Sequence, residues 1–249
     1  MKKKNMWLLV AFGAVSLTTF LVYWFLYWPP KPFPSNEQIV QEINRTYEEA
    51  EAKVIQDILF VDTHHVVVPY ISANEDYGLC YWSWRNHKWQ VLMIDTKGEP
   101  KVWKVNGNDP TSFAIVWNVH PDDQLQAIQF YLLRNRNYGM TDGVEHYSPR
   151  IQMEKEISLR EKSYGILQLP KDWALVLNSV IIENRGGQPS LFFNDFFPLQ
   201  SAYFGWLPYD QWGKEAFPKQ TVNGNTYVVD DIDQEHVMIL NTVDLENPK

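Results

Sequence analysis

His120 stands two and three residues ahead of Asp122 and Asp123. An imidazole and a carboxylate that close could share a proton as a general acid–base pair. The same residues flank Pro121 just after an apolar run, so they also spell a strand-to-helix turn in which an aspartate caps free N–H groups. The turn is the favoured reading. His64 and His65 are adjacent, so on a strand they point to opposite faces and do not chelate one metal. His87, His120, His146 and His236 are scattered, and the chain carries no HExxH, paired-cysteine or His-x-His spacing. Asp230, Asp231, Asp233 and Glu235 cluster near the end without the glycine and spacing of an EF-hand loop, which reads as a solvated charged turn. A GxSxG elbow and a Walker loop are both lacking. Paired carboxylates for glycoside cleavage meet in space and not in sequence, so they stay open. No catalytic residue, metal or cofactor is assigned, and a non-enzymatic role is the leading expectation.

Aromatic residues offer a second chemistry. Trp82, Trp84, Trp89, Trp103 and Trp117 fall in strand-like segments. Exposed indoles stack on sugar rings, and Trp82, Trp84 and Trp89 are the candidate stacking surface. The competing reading, and the favoured one, is that these rings build the buried face of a sheet, where each hides a large apolar area. Phe192, Phe193, Phe196, Phe197, Phe204 and Trp206 pose the same choice between a groove for a peptide or lipid chain and core filling.

The elements that must position these side chains are mostly strands. Segments 66–71, 78–85, 88–95, 100–106 and 112–119 are short, rich in β-branched and aromatic residues, and separated by turn residues, which predicts an antiparallel meander. A two-residue hairpin loop at Asn86–His87 would set Trp84 opposite Trp89, Trp82 opposite Val91 and Cys80 opposite Met93. Asp122 and Asp123 could open a helix carrying Leu125, Ile128 and Leu132 and ending near Arg134 and Arg136, although 127–133 also alternates as a strand. Residues 151–159, 164–169 and 173–183 read as further strands, 186–217 as irregular, and 227–229 and 237–240 as short closing strands.

Ahead of the sheet, Ser35 and Gln38 form a capping-box pattern. Val40, Ile43, Tyr47, Ala50 and Val54 then predict an amphipathic helix over 35–58. Pro29, Pro30, Pro32 and Pro34 make residues 29–34 a stiff spacer. Before it, residues 6–28 (MWLLVAFGAVSLTTFLVYWFLYW) hold no charge. As a helix they would extend roughly 34 Å, enough to cross a hydrocarbon core of about 30 Å. Met6 and Trp7 at one end and Trp24 and Trp28 at the other suit the two interfaces of a signal anchor. Bulky and proline-rich residues follow the span where a cleaved signal peptide would show small ones. Lys2, Lys3 and Lys4 place residues 1–5 in the cytoplasm and the domain of residues 59–249 outside.

With those lysines set aside, 19 basic residues face 30 acidic ones, a formal charge of −11, which argues against a nucleic-acid partner. The single cysteine, Cys80, lies in an apolar run and fits a buried hydrophobe better than a disulfide framework. The sequence thus predicts an α+β chain: a transmembrane helix, then a mainly antiparallel β ectodomain with a helix packed at its start and one internal helix. The expected role is a single-pass binding or accessory module at the outer face of a bacterial membrane. Its expected partners are the bilayer through residues 6–28 and an envelope protein or glycan. A wall-glycan-binding or hydrolysing ectodomain is the alternative. A homodimer through the span (Gly13, Ala14, Ser16, Thr18, Thr19) or through the 40–54 seam is a further expectation.

Overall fold

The structure, a computed structural model, describes residues 11–20, 23, 29–141, 144–186 and 202–246. Residues 11–20 are helical with exposed side chains (α1). The rest of the 6–28 segment, Tyr23 apart, lies outside the described residues, Met6, Trp7, Trp24 and Trp28 included. Among the described residues no helix is long and apolar enough to cross a membrane.

The chain continues as helix α2 (Asn36–Thr46), β1 (Ala52–Ile55), β2 (Leu59–Phe60), β3 (His65–Ser72), β4 (Tyr77–Arg85), β5 (Lys88–Asp95), β6 (Gly98–Lys104) and β7 (Phe113–Asn118). It follows with β8 (Leu125–Arg134), β9 (Asn137–Thr141), β10 (Val144–Ser148), β11 (Ile151–Ser158) and β12 (Tyr164–Gln168). Helix α3 (Lys171–Gly186), β13 (Tyr203–Asp210), β14 (Thr226–Val228), β15 (Gln234–His236) and β16 (Met238–Ile239) complete it. The fold is mainly antiparallel β with helices, as an α+β reading requires.

Among the described residues the strands form three stacked sheets and one separate hairpin. Sheet A runs β1-β3-β4-β5-β14 with β2 beside β3, sheet B runs β12-β7-β6-β15, and sheet C runs β11-β8-β13-β16; β9 and β10 pair alone. Only β13–β16 is parallel among the described pairs. Period-two alternation sorts the side chains into layers. Val66, Val68, Tyr70, Cys80 and Trp82 of sheet A face Ile39 and Ile43 of α2. Val67, Leu79 and Tyr81 face Trp103 and Val116 of sheet B. The other face of sheet B, through Val102, Ile115 and Trp117, meets Phe130, Leu132 and Trp206 of sheet C and Trp173 of α3. β7 is therefore buried at every position.

Several expectations are corrected by this packing. The meander splits after Asp95, where the chain leaves sheet A and enters sheet B, so β5 and β6 lie in different layers. Gly98 permits the crossing, since a Cβ there would lie 2.2 Å from the Asn118 carbonyl oxygen. The hairpin loop is as expected, with Asn86 and His87 both at positive φ, and Trp84 faces Trp89. A bulge between Tyr81 and Trp82 shifts the register beyond it, so Cys80 faces Ile94, and Met93 turns toward sheet B.

The 35–58 helix stops at Thr46. The Asn44 side chain donates to the Ala52 carbonyl and accepts from its N–H, and Glu51 takes a left-handed conformation, which turns the chain into β1 at the edge of sheet A. The expected apolar seam is not continuous, because Val54 is exposed and Ile39, outside that pattern, is wholly buried. Of the expected 40–54 seam, Ile43 and Ala50 are buried against sheet A and Val54 lies in β1.

Residues 125–134 are a strand, preceded by one short 3-10 turn at Pro121–Asp123, and not a helix. Placed between β11 and β13, they bury Ile128, Phe130 and Leu132 on one side and Tyr131 and Leu133 on the other. The internal helix is instead α3, expected as a strand. Its apolar residues occupy two sides, with Trp173, Ala174, Leu177 and Val180 buried but Leu175 and Ile182 exposed, which blurs a helical period. Within the stretch expected to be irregular, Tyr203–Asp210 is a strand of sheet C, and residues 187–201 lie outside the described residues.

Candidate binding cleft

The acid–base grouping resolves into a structural turn. His120 Nδ1 accepts from the Asp122 N–H, and its Nε2 lies 3.0 Å from the Glu75 carbonyl oxygen. The Asp123 carboxylate accepts from the backbone N–H groups of Lys219, Gln220 and Thr221 at 2.7–2.9 Å and from the Thr221 hydroxyl. The Asp123 carboxylate and the His120 N–H, which donates to the Thr221 hydroxyl, hold the 219–221 segment against the start of β8. His65 opens β3 and His64 lies in the bend before it, and the two rings have different partners. The His64 ring sits 2.9 Å from the Thr63 hydroxyl, and His65 Nδ1 lies 2.9 Å from the Asp62 carboxylate. Burial pushes the Asp62 carboxyl up, but bonds from the His65 ring and the His64 N–H outweigh it and hold the group below the usual carboxylate range.

The acidic cluster disperses into pairs, Asp230 with Arg85 and Glu235 with Lys104, both at 2.7 Å. Among the described residues no three His, Cys, Asp or Glu side chains converge to hold a metal. His65, Arg85, Trp103, Lys104, Asp231 and Asp233 line a smaller recess of about 280 Å³. Cys80 is fully buried, and burial pushes its thiol well up.

The tryptophans divide. Trp82, Trp103 and Trp117 are core residues, each at most 4% exposed. Trp84 and Trp89 are half-buried. Phe204 and Trp206 are buried in sheet C, whereas Phe192, Phe193, Phe196 and Phe197 lie outside the described residues. Of the proposed stacking surface, Trp82 therefore presents no open ring face. Its neighbour Trp89 borders a cleft of about 750 Å³ between α2 and β5.

The cleft is built simply. Gln38, Gln41, Glu42 and Arg45 recur at three- and four-residue spacing and form one stripe of α2. Arg45 and Glu42 pair along that stripe at 2.5 Å. The helix is started at Ser35, whose N–H donates to Gln38 Oε1. The opposite wall is Lys88, Trp89, Gln90 and Val91 of β5, with Val229 beyond. β14 pairs with β5 only at Met93–Asp95, and the Val229 and Asp230 N–H groups bond the Leu92 carbonyl. Among the described residues no strand pairs with the outer edge of β5 over Lys88–Val91. An unpaired strand edge beside amide side chains and a tryptophan is suited to an extended chain, which can bond to the edge and lay alternate side chains in the cleft.

The proline spacer closes one end. Phe33 packs edge-on against Trp89 at 4.9 Å, Trp82 at 5.4 Å and Phe60 at 6.2 Å between ring centroids. The Trp89 indole N–H donates to the Lys31 carbonyl at 2.9 Å. The spacer is thus docked onto the β domain and not free of it. Neither Phe33 nor the α2 stripe stands out in the sequence as a site. The signals present were a single large apolar residue between two prolines and four polar residues in helical register.

Compared with known proteins, the chain matches no family model, no curated protein and no solved structure.

Proposed function

We propose that the chain is a single-pass, membrane-anchored binding module whose β domain works at the outer face of a bacterial membrane. In this reading it captures an extended polypeptide segment of an envelope partner. The observation that carries the reading is the cleft between α2 and β5, where the bare edge of Lys88–Val91 lies beside Gln38, Gln41, Gln90 and Trp89. The charge-free 6–28 segment and the lysines before it supply the anchor and its orientation, N-terminus inside. Thr19 in α1 donates its hydroxyl to the Val15 carbonyl, a self-satisfied arrangement compatible with an apolar surround.

A second reading places a wall glycan in the same cleft, favoured by the half-buried Trp89 indole and the surrounding amides. A photo-crosslinking residue at Gln41 or Gln90, in the full-length protein in its native membranes, separates the two. Discrete polypeptide adducts from both sites, missing from a control at exposed Lys155, are expected. Adducts that collapse on glycan digestion would favour the second reading. Cleft sites that label no more than the Lys155 control would contradict both.

A further inference from the structure

The distance between the docked spacer and the apolar span is short enough to place the β4–β5 hairpin. Lys31, whose carbonyl is bonded by Trp89, follows Trp28 by three residues, two of them prolines. Three residues of extended chain reach at most about 10 Å. The headgroup layer on each side of a bilayer is roughly 5–7 Å deep. If residues 6–28 span the membrane, Trp89 is therefore tethered within or directly upon the headgroup layer. Phe33, fixed against Trp82, Trp89 and Phe60, keeps the domain from swinging away.

The residues this brings to the surface suit a lipid interface. Trp84 packs on Trp89 at 5.5 Å, and both rings are half-buried; Phe60, docked on Phe33, is 55% exposed. Lys31 and Lys88 are exposed, and Arg85 shares the hairpin with Lys88. Arg85 is paired with Asp230, so it is the exposed Lys31 and Lys88 beside the aromatic tip that anionic headgroups would attract.

We propose that the tip of the β4–β5 hairpin, with Phe60, is a membrane-contact surface held by the docked spacer in the anionic headgroup layer of the bilayer that carries the anchor. The proposal rests on the anchored reading above. It gives the cleft beside Trp89 a fixed height at the membrane surface, so a segment bound there is one emerging from, or lying along, that surface.

The test uses full-length protein in vesicles of phosphatidylglycerol and phosphatidylethanolamine, with an environment-sensitive fluorophore on one introduced cysteine. Buried Cys80 stays unlabelled. The sites are Lys88→Cys in the tip, Ser16→Cys in the span and Glu156→Cys in sheet C, with nitroxide quenchers on headgroups or deep on acyl chains. Expected are loss of fluorescence at position 88 with headgroup quenchers, at position 16 with deep quenchers, and at position 156 with neither. Quenching at 16 but not at 88 would overturn the hairpin contact and leave the anchored reading intact. An unquenched position 16 would overturn the anchor and the contact with it. Six glycine and serine residues inserted between Pro30 and Lys31 leave Phe33 seated and should abolish quenching at 88. Undiminished quenching there would contradict the role given to the docked spacer.

Discussion

At the scale of single residues, the polar groups that matter most are buried ones joining sheets. Asp95 sits at the crossing from sheet A to sheet B, 2% exposed, with Lys101 Nζ at 2.7 Å and the Thr226 hydroxyl donating to it. Asn118 ties the same region together by donating to Gln56 Oε1 and the Gly78 carbonyl. Burial pushes the Asp95 carboxyl above its ordinary range, with Lys101 and Thr226 pulling the other way. The folded protein therefore holds this proton to higher pH than the unfolded chain does. The stability it contributes is complete below the usual carboxylate pKa and is lost as pH rises through the raised one. Urea unfolding of wild type and Asp95→Asn across the acid-to-neutral range should show wild type losing ground to the variant as pH rises. A gap that widened in favour of wild type would contradict the assignment. None of this was legible in the sequence, because Thr226 reaches Asp95 by pairing of distant strands in sheet A, and Lys101 and Asn118 come to the region from sheet B.

At the scale of elements, local pattern was informative where one period stood alone. The hairpin from Tyr77 to Asp95 was legible because Asn86 and His87 suit a tight turn and its strands alternate. It failed where two periods fitted the same residues. Ile128 and Leu132 satisfy a helix, while Ile128, Phe130 and Leu132 satisfy a strand, and pairing with β11 and β13 decides. Trp173 to Val180 was misread because α3 carries apolar residues beyond its buried stripe. For α2 the phase was the error, since Ile39 and Ile43 carry the buried face and Val54 lies in a strand, exposed. Ile43→Ala should therefore cost about 2–5 kcal/mol by cavity formation. Val54→Ala should stay within about 0.5 kcal/mol, as surface changes do. Equal losses in chemical denaturation would mean that the helix continues along its sequence period after all.

At the scale of the whole molecule, the three sheets and covering helix of the described residues form a body onto which the proline spacer is docked. Of the chemistry-bearing residues that drew attention in the sequence, His120 and Asp123 turn out to close a loop. The cleft that replaces them depends on α2 lying over sheet A, which no spacing announces. What the sequence did carry is the order of parts: basic start, apolar span, proline spacer, β domain. On the anchored reading proposed above, the docking of Phe33 sets the β domain close to the membrane surface. Protease accessibility of full-length protein tagged at its C-terminus, in intact cells and in opened membranes, tests this most directly. The account predicts digestion of the β domain from outside intact cells, with the anchor fragment retained in the membrane. A domain protected until the membrane is opened would reverse the topology and contradict it.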